Sequence, residues 1–142
     1  MASRTRVKFI ENPAPATLQG IITIYRAHGW WKPSDKPALL KRIIKGSHCF
    51  AVAELDGRII GIGRAISDGA SDAYIQDMAV LKTERGSGAG SAILAAIMKR
   101  LNKDGVKWVG LIAQDNSEYF YCKAGFKTLK NAAPMLSKTS YV

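Results

Sequence analysis

The stretch Val80-Leu81-Lys82-Thr83-Glu84-Arg85-Gly86-Ser87-Gly88-Ala89-Gly90-Ser91-Ala92-Ile93-Leu94 decides the fold. It passes from an apolar strand end, through a loop with glycine at every second position, into a helix. The apolar residues Ile93, Leu94, Ile97, Met98 and Leu101 recur at helical spacing. That helix closes at Lys103-Asp104-Gly105, with Lys99, Arg100 and Lys103 in the last turns, where the helix dipole favours cations. A strand from about Val106 to Ala113 follows. Strand 73–81, glycine loop, helix and second strand together predict a right-handed parallel crossover.

Upstream, His48 to Leu55 and Arg58 to Ile66 read as strands flanking Asp56-Gly57, a pair suited to a tight type I′ hairpin turn. Asp68-Gly69 then leads into the strand that ends at Leu81, so three strands form a meander. Earlier still, Arg6 to Glu11 predicts a short strand, stopped by Asn12-Pro13-Ala14-Pro15. Thr17 is placed to cap a helix carrying Leu18, Ile21, Ile22 and Tyr25, and a second helix carries Leu39, Leu40, Ile43 and Ile44 up to Gly46. Between the helices, Trp30 and Trp31 are adjacent and cannot both point inward; one plugs the core, or the two line a ligand pocket. Downstream, a short helix over 116–123 stops at Gly125, Phe126 to Leu129 reads as a strand, and the tail Met135 to Val142 as one more. The expected architecture is α+β, a mixed and mostly antiparallel sheet of about six to seven strands with about four helices.

With 142 residues, 47% of them hydrophobic and 23% charged, the chain is expected to be one globular domain over 1–142 that needs no disulfide or metal. Cys49 and Cys122 show no CxxC or CxxH pattern, and His28 and His48 lack ligand spacing, so no metal is expected. Apolar runs are far shorter than the ~18 residues of a membrane span, and no signal-peptide stretch opens the chain, so a cytoplasmic protein with no membrane partner is expected. The net charge of +10 is unevenly spread: +7 over 1–53, −3 over 54–77, +4 over 78–110 and +2 over 111–142. Without basic tails or interleaved basic and aromatic residues, nucleic acid is not the expected partner.

The alternating glycines at 86, 88 and 90 free backbone N–H groups to converge on one spot at a helix N-terminus, which suits a phosphate, with Lys82 and Arg85 beside it. A plain tight turn is the structural alternative. The Lys-Ser/Thr of a Walker loop is absent, and a dinucleotide fingerprint would follow a parallel strand rather than an antiparallel meander.

Two motifs carry a resemblance. Arg85-x-x-Gly88-x-Gly90 resembles the Q/R-x-x-G-x-G/A core of the GNAT superfamily of N-acetyltransferases, and Tyr119-Phe120-Tyr121-Cys122-Lys123-Ala124-Gly125-Phe126 resembles its F-Y-x-K-x-G-F signature. The order of elements is similar along essentially the whole chain. The resemblance implies acetyl-CoA as co-substrate and a small-molecule or peptide amine as acceptor. The pantetheine arm would pair with Met78, Ala79 and Val80, and the pyrophosphate would lie on Arg85, Gly86, Ser87, Gly88, Ala89, Gly90 and Ser91. Asn116 stands five residues before Tyr121, whereas many members have an Asn slightly further upstream that bonds pantetheine.

The resemblance also implies that Tyr121 protonates the departing thiolate, for which a phenol is a suitable weak acid, while a backbone N–H stabilises the oxyanion. Where many members have a glutamate base in the fourth strand, Gln76 stands here. The base is then Asp77, another acid such as Asp68 or Asp72, water, or nothing if the amine arrives unprotonated. Tyr25, Trp30 and Trp31 are expected on the acceptor side, and the acidic stretch 54–77 would suit a cationic amine. A non-catalytic acyl-CoA sensor and a basic nucleic-acid binder are the alternative functions; a homodimer is left open.

Overall fold

The computed structural model describes residues 4–139. These fall into two compact units, one up to Leu111 and one from Ile112.

The first unit is a five-stranded sheet in the order β1 (Thr5–Phe9), β2 (Cys49–Leu55), β3 (Arg58–Ser67), β4 (Asp72–Val80), β5 (Trp108–Gly110). The first three pairings are antiparallel and β4 to β5 is parallel, as the crossover reading required. Asp56 and Gly57 both take positive φ, 51° and 78°, as a type I′ turn demands. The first helix, α1 (Pro15–Ala27), begins at Ala14 with Pro15 in its first turn. Proline, with its preset φ, starts it, and Thr17 lies inside it rather than capping it. The second, α2 (Pro37–Gly46), starts the same way, and α3 (Ala89–Lys103) is the crossover helix.

Alternation along β3 sorts the helices. Ile62 belongs to one buried cluster with Leu18, Ile21, Ile22 and Tyr25 of α1, Leu40 and Ile44 of α2, and Phe50 and Val52 of β2. Gly61 and Gly63 face the other way, under α3, where an added Cβ would lie 2.9 Å from Ile93 Cδ1 at position 61 and 2.8 Å from Ile93 Cγ2 at position 63. So α1 and α2 cover one face and α3 the other.

Two helices of this unit end in the same six-residue device. Trp30 N donates to Tyr25 O at 2.9 Å and Gly29 N to Arg26 O at 3.1 Å; Val106 N donates to Leu101 O at 3.0 Å and Gly105 N to Asn102 O at 3.1 Å. These are Schellman caps, with the apolar pairs Tyr25/Trp30 and Leu101/Val106 closing them.

The second unit contains α4 (Glu118–Lys123), which ends in a third such cap: Phe126 N donates to Tyr121 O at 3.1 Å and Gly125 N to Cys122 O at 3.0 Å. The strand expected over Phe126–Leu129 is absent, and the described part of Met135–Val142 also holds no strand. Residues 140–142 of that reading lie outside the described residues. Phe126 is taken up by the cap, and Leu129, Met135 and Leu136 are exposed rather than alternating against a core. The sheet therefore has five strands among the described residues, below the expected six to seven.

Gly63→Ala is expected to destabilise the fold by roughly 1–3 kcal/mol in denaturant titration, since Ile93 is β-branched and cannot swing clear. Asp104, which caps α3, accepts from His48 Nε2 at 2.7 Å and Arg100 Nε at 2.8 Å. Those two bonds, His48's first, hold its carboxyl below the ordinary range. The folded carboxyl being more acidic than the unfolded one, its stabilisation is present above about pH 4 and lost as pH falls through the folded value. Asp104→Asn is expected to flatten that part of the acid-unfolding profile.

Candidate active site

In the first unit the expected site residues lie mainly on β4 and on the loop into α3; in the second, Tyr121 lies on α4. β3 and β4 pair as Ile62↔Ala79 and then Arg64↔Gln76, so the single residue Gly63 faces two, Asp77 and Met78. This is a β-bulge, and Asp77 within it has φ 54°. For a residue with a side chain that left-handed conformation costs about 1–2 kcal/mol. What holds it is visible: Asp77 Oδ2 accepts from the Tyr25 hydroxyl at 2.7 Å and from Arg64 Nε at 2.7 Å. Arg64 also reaches Ser47 Oγ at 3.4 Å. Burial, and then the charge of Asp77, push the Tyr25 hydroxyl far above its ordinary value, so it remains a donor.

The Asp77 carboxylate accepts two hydrogen bonds, one of them charge-assisted. The geometry thus gives Asp77 a structural occupation beside the role of base expected for it. Two other acids of the stretch 54–77 are also engaged locally. Glu54 pairs with Lys8 at 2.8 Å. Asp68 accepts from the Ser71 hydroxyl and from the backbone of Ala70 and Ser71, contacts that hold its carboxyl well below the usual range.

On its other side β4 pairs with β5 only through Asp72, Ala73 and Tyr74. From Ile75 to Val80, which includes Met78, Ala79 and Val80, no described strand continues the ladder on that side. Main-chain donors and acceptors there can pair with an extended ligand.

Past Val80 a 3₁₀ turn (Lys82–Glu84) leads into the glycine loop. Ser87 Oγ donates to Glu84 O at 2.6 Å, Glu84 pairs with Arg58 at 3.1 Å, and Arg85 Nε donates to Val80 O at 3.3 Å. Gly86 and Gly88 have φ of 83° and 89°, and a Cβ on either would meet nothing within 4 Å. Backbone conformation, not crowding, demands glycine here, and open space lies beside the loop. Gly88 is the N-cap of α3, which has no side-chain cap and no acidic residue in its first turn, formed by Ala89, Gly90 and Ser91. The first amides of the helix are thus left for an anion. This donor set fits a pyrophosphate.

The tryptophan pair is sorted clearly. Trp31 and Tyr25 belong to the buried core, while Trp30 is 42% exposed, its ring 5.0 Å from that of His28 and 5.9 Å from that of Tyr25. Of the three residues expected to face the acceptor, only Trp30 presents a ring to solvent. In the second unit, Tyr121 is half-buried between Phe120 and Phe126, with ring centroids at 4.9 and 6.0 Å. Asn116 precedes α4 with φ 60°. Among the described residues, no three His, Cys, Asp or Glu side chains converge as a metal site would require, and no helix is long and apolar enough to cross a membrane.

Sequence reasoning missed Arg64. Its signal was available, as the one charge inside Ile59-Ile60-Gly61-Ile62-Gly63-Arg64-Ala65-Ile66.

The family model of the acetyltransferase (GNAT) domain matches residues 18–134. The chain belongs to the GNAT family of acetyltransferases, whose members use acetyl-CoA. Among curated proteins no sequence matches significantly. Among solved structures, a protein of unknown function from meticillin-resistant Staphylococcus aureus, described as a probable acetyltransferase, is 26% identical with a TM-score of 0.79, over 95% of this chain and 99% of that one. A GNAT family acetyltransferase from Streptococcus pneumoniae is 20% identical (TM-score 0.78, 97% and 100% covered). Glucosamine-6-phosphate N-acetyltransferase from Arabidopsis thaliana is 17% identical (TM-score 0.77, 96% and 99% covered). These last two bear on the fold alone.

Gly88→Ala is expected to weaken coenzyme A binding roughly tenfold, read by isothermal titration, because alanine resists φ near +90° and draws the first amides of α3 out of line.

Proposed function

We propose that this protein transfers the acetyl group of acetyl-CoA to a primary amine, small-molecule or peptide, by direct attack in a ternary complex. The observation that carries the reading is one continuous feature: a bulged β4 with a free edge running directly into an uncapped, glycine-lined helix start. Met78, Ala79 and Val80 supply main-chain pairing for the amide-bearing arm. Arg85, Gly86, Ser87, Gly88, Ala89, Gly90 and Ser91 cradle the pyrophosphate. Acetyl-CoA brings an activated thioester; the chain orients it and stabilises the charge that develops.

A β4 backbone N–H donates to the thioester oxygen as it becomes an oxyanion. The amine nitrogen forms the new bond to the carbonyl carbon and gives its surplus proton to water, the carbon–sulfur bond breaks, and Tyr121 protonates the departing sulfur and is itself reprotonated from solvent. Asn116 is assigned to the cofactor side, and Trp30 to the acceptor side. Since Asp77 is ion-paired, the acceptor enters as free amine or loses its proton to water.

One observation favours a second reading, an acyl-CoA-binding domain without catalysis: the carboxylate nearest the bulge is already engaged. Coenzyme A release over a panel of polyamines, aminoglycosides, amino acids, arylamines and peptide N-termini separates the two. Thiol release on at least one amine is expected; tight coenzyme A binding with no release on any amine would favour the sensor.

Burial pushes the Tyr121 hydroxyl up. Its acid form therefore persists beyond the ordinary tyrosine value of about 10. The rate is expected to rise with pH as the amine deprotonates, with no alkaline fall from Tyr121 below about pH 10. Tyr121→Phe is expected to lower kcat by about 10²–10⁴-fold, with KM for acetyl-CoA little changed.

A further inference from the structure

We propose that Tyr25, Arg64 and Asp77 form a conformational lock on the β4 bulge, in which the Asp77 carboxylate serves to hold its own backbone left-handed rather than to accept a proton. The proposal rests on the acetyl-transfer reading only for its kinetic readout.

Asp77 is the one residue of β4 with positive φ, in mid-strand, where a bulge residue in that conformation is ordinarily glycine. Such a conformation persists only when its surroundings over-determine it. Here they do so from two elements at once. Tyr25, on α1, is fixed by core packing and by the helix cap, which ties its carbonyl to Trp30 N at 2.9 Å. Arg64 is the cross-strand partner of Gln76, next to the bulge, on the face shared with Ile62. Both donate to the same oxygen, Oδ2, each at 2.7 Å. The side chains of Arg64 and Asp77 are 17% and 21% exposed, so the pair is largely screened from competing water. α1 and β3 thereby hold β4 in the shape that removes residues 77 and 78 from regular pairing with β3. The amides that follow, at 78–80, are those assigned to the cofactor arm. Tyr25 and Arg64 are positioning residues, acting through Asp77.

Three substitutions at one position test this. Asp77→Ala removes both the acceptor and the tolerance for positive φ. Asp77→Asn keeps an acceptor oxygen and tolerates the left-handed region, without a useful base. Asp77→Gly restores backbone freedom with no side chain. Asp77→Ala is expected to lose roughly tenfold or more in kcat and in coenzyme A affinity by titration calorimetry. Asn and Gly are each expected to recover most of that loss. Tyr25→Phe, which removes one donor, is expected to fall between.

If Asn, Gly and Ala lose kcat alike and the same ionisation disappears from the kcat/KM–pH profile of each, Asp77 is a base and the lock is wrong. It is equally wrong if Ala matches the parent protein in coenzyme A affinity. Calorimetry needs no acceptor, so the two proposals fail separately. The affinity order Asn and Gly above Ala, with no thiol release from any amine, sinks acetyl transfer and keeps the lock. Transfer without that order does the reverse. Asp77→Asn, nearly isosteric, preserves the test should Asp77→Ala not fold.

Discussion

One residue of β3 faces two of β4, and most of the site depends on that mismatch. A regular ladder would send every amide from Asp72 to Val80 into the sheet or along a straight edge. The extra residue kinks β4 and turns the following main chain. Gly63 makes room, because on the α3 side the Met78 side chain occupies the space a Cβ would need. On the α1 side, Tyr25 and Arg64 hold the strained residue by its carboxylate. Two opposite faces of the sheet thus act on the same two residues.

The glycine loop inherits its position from this arrangement. β4 ends at Val80, whose carbonyl accepts from Arg85, and a single 3₁₀ turn separates the strand from Gly88. A strand with free polar groups and a helix start with free amides are therefore parts of one short segment. The overall fold is shared with solved structures only 17–29% identical to this chain.

Features coded by adjacent residues were legible in the sequence. Asp56-Gly57 gave its hairpin, the glycines their loop, and apolar spacing its three longer helices. The lock was not, because Tyr25 and Arg64 lie 52 and 13 residues from Asp77 and no local pattern joins them. The bulge was hidden for a related reason: aspartate stands where glycine would have announced it. Trp30 and Trp31 were indistinguishable until the α1 cap placed Trp30 over Tyr25 and sent Trp31 inward. The strand expected over 126–129 is absent because Phe126 has strand-like neighbours but belongs to a helix cap. The −3 stretch looked like one electrostatic surface, yet Glu54, Asp68 and Asp77 each serve a separate local contact.

The ladder joining β4 to β5 has only three residue pairs and closes across the 15-residue α3. The antiparallel strands β2 to β4, by contrast, are linked by short turns and by longer ladders. The meander is rich in local contacts, whereas pairing β5 with β4 must first meet the loop-closure entropy of the crossover. In the native state the same seam is the shortest ladder of the sheet, a place where local opening costs less than global unfolding.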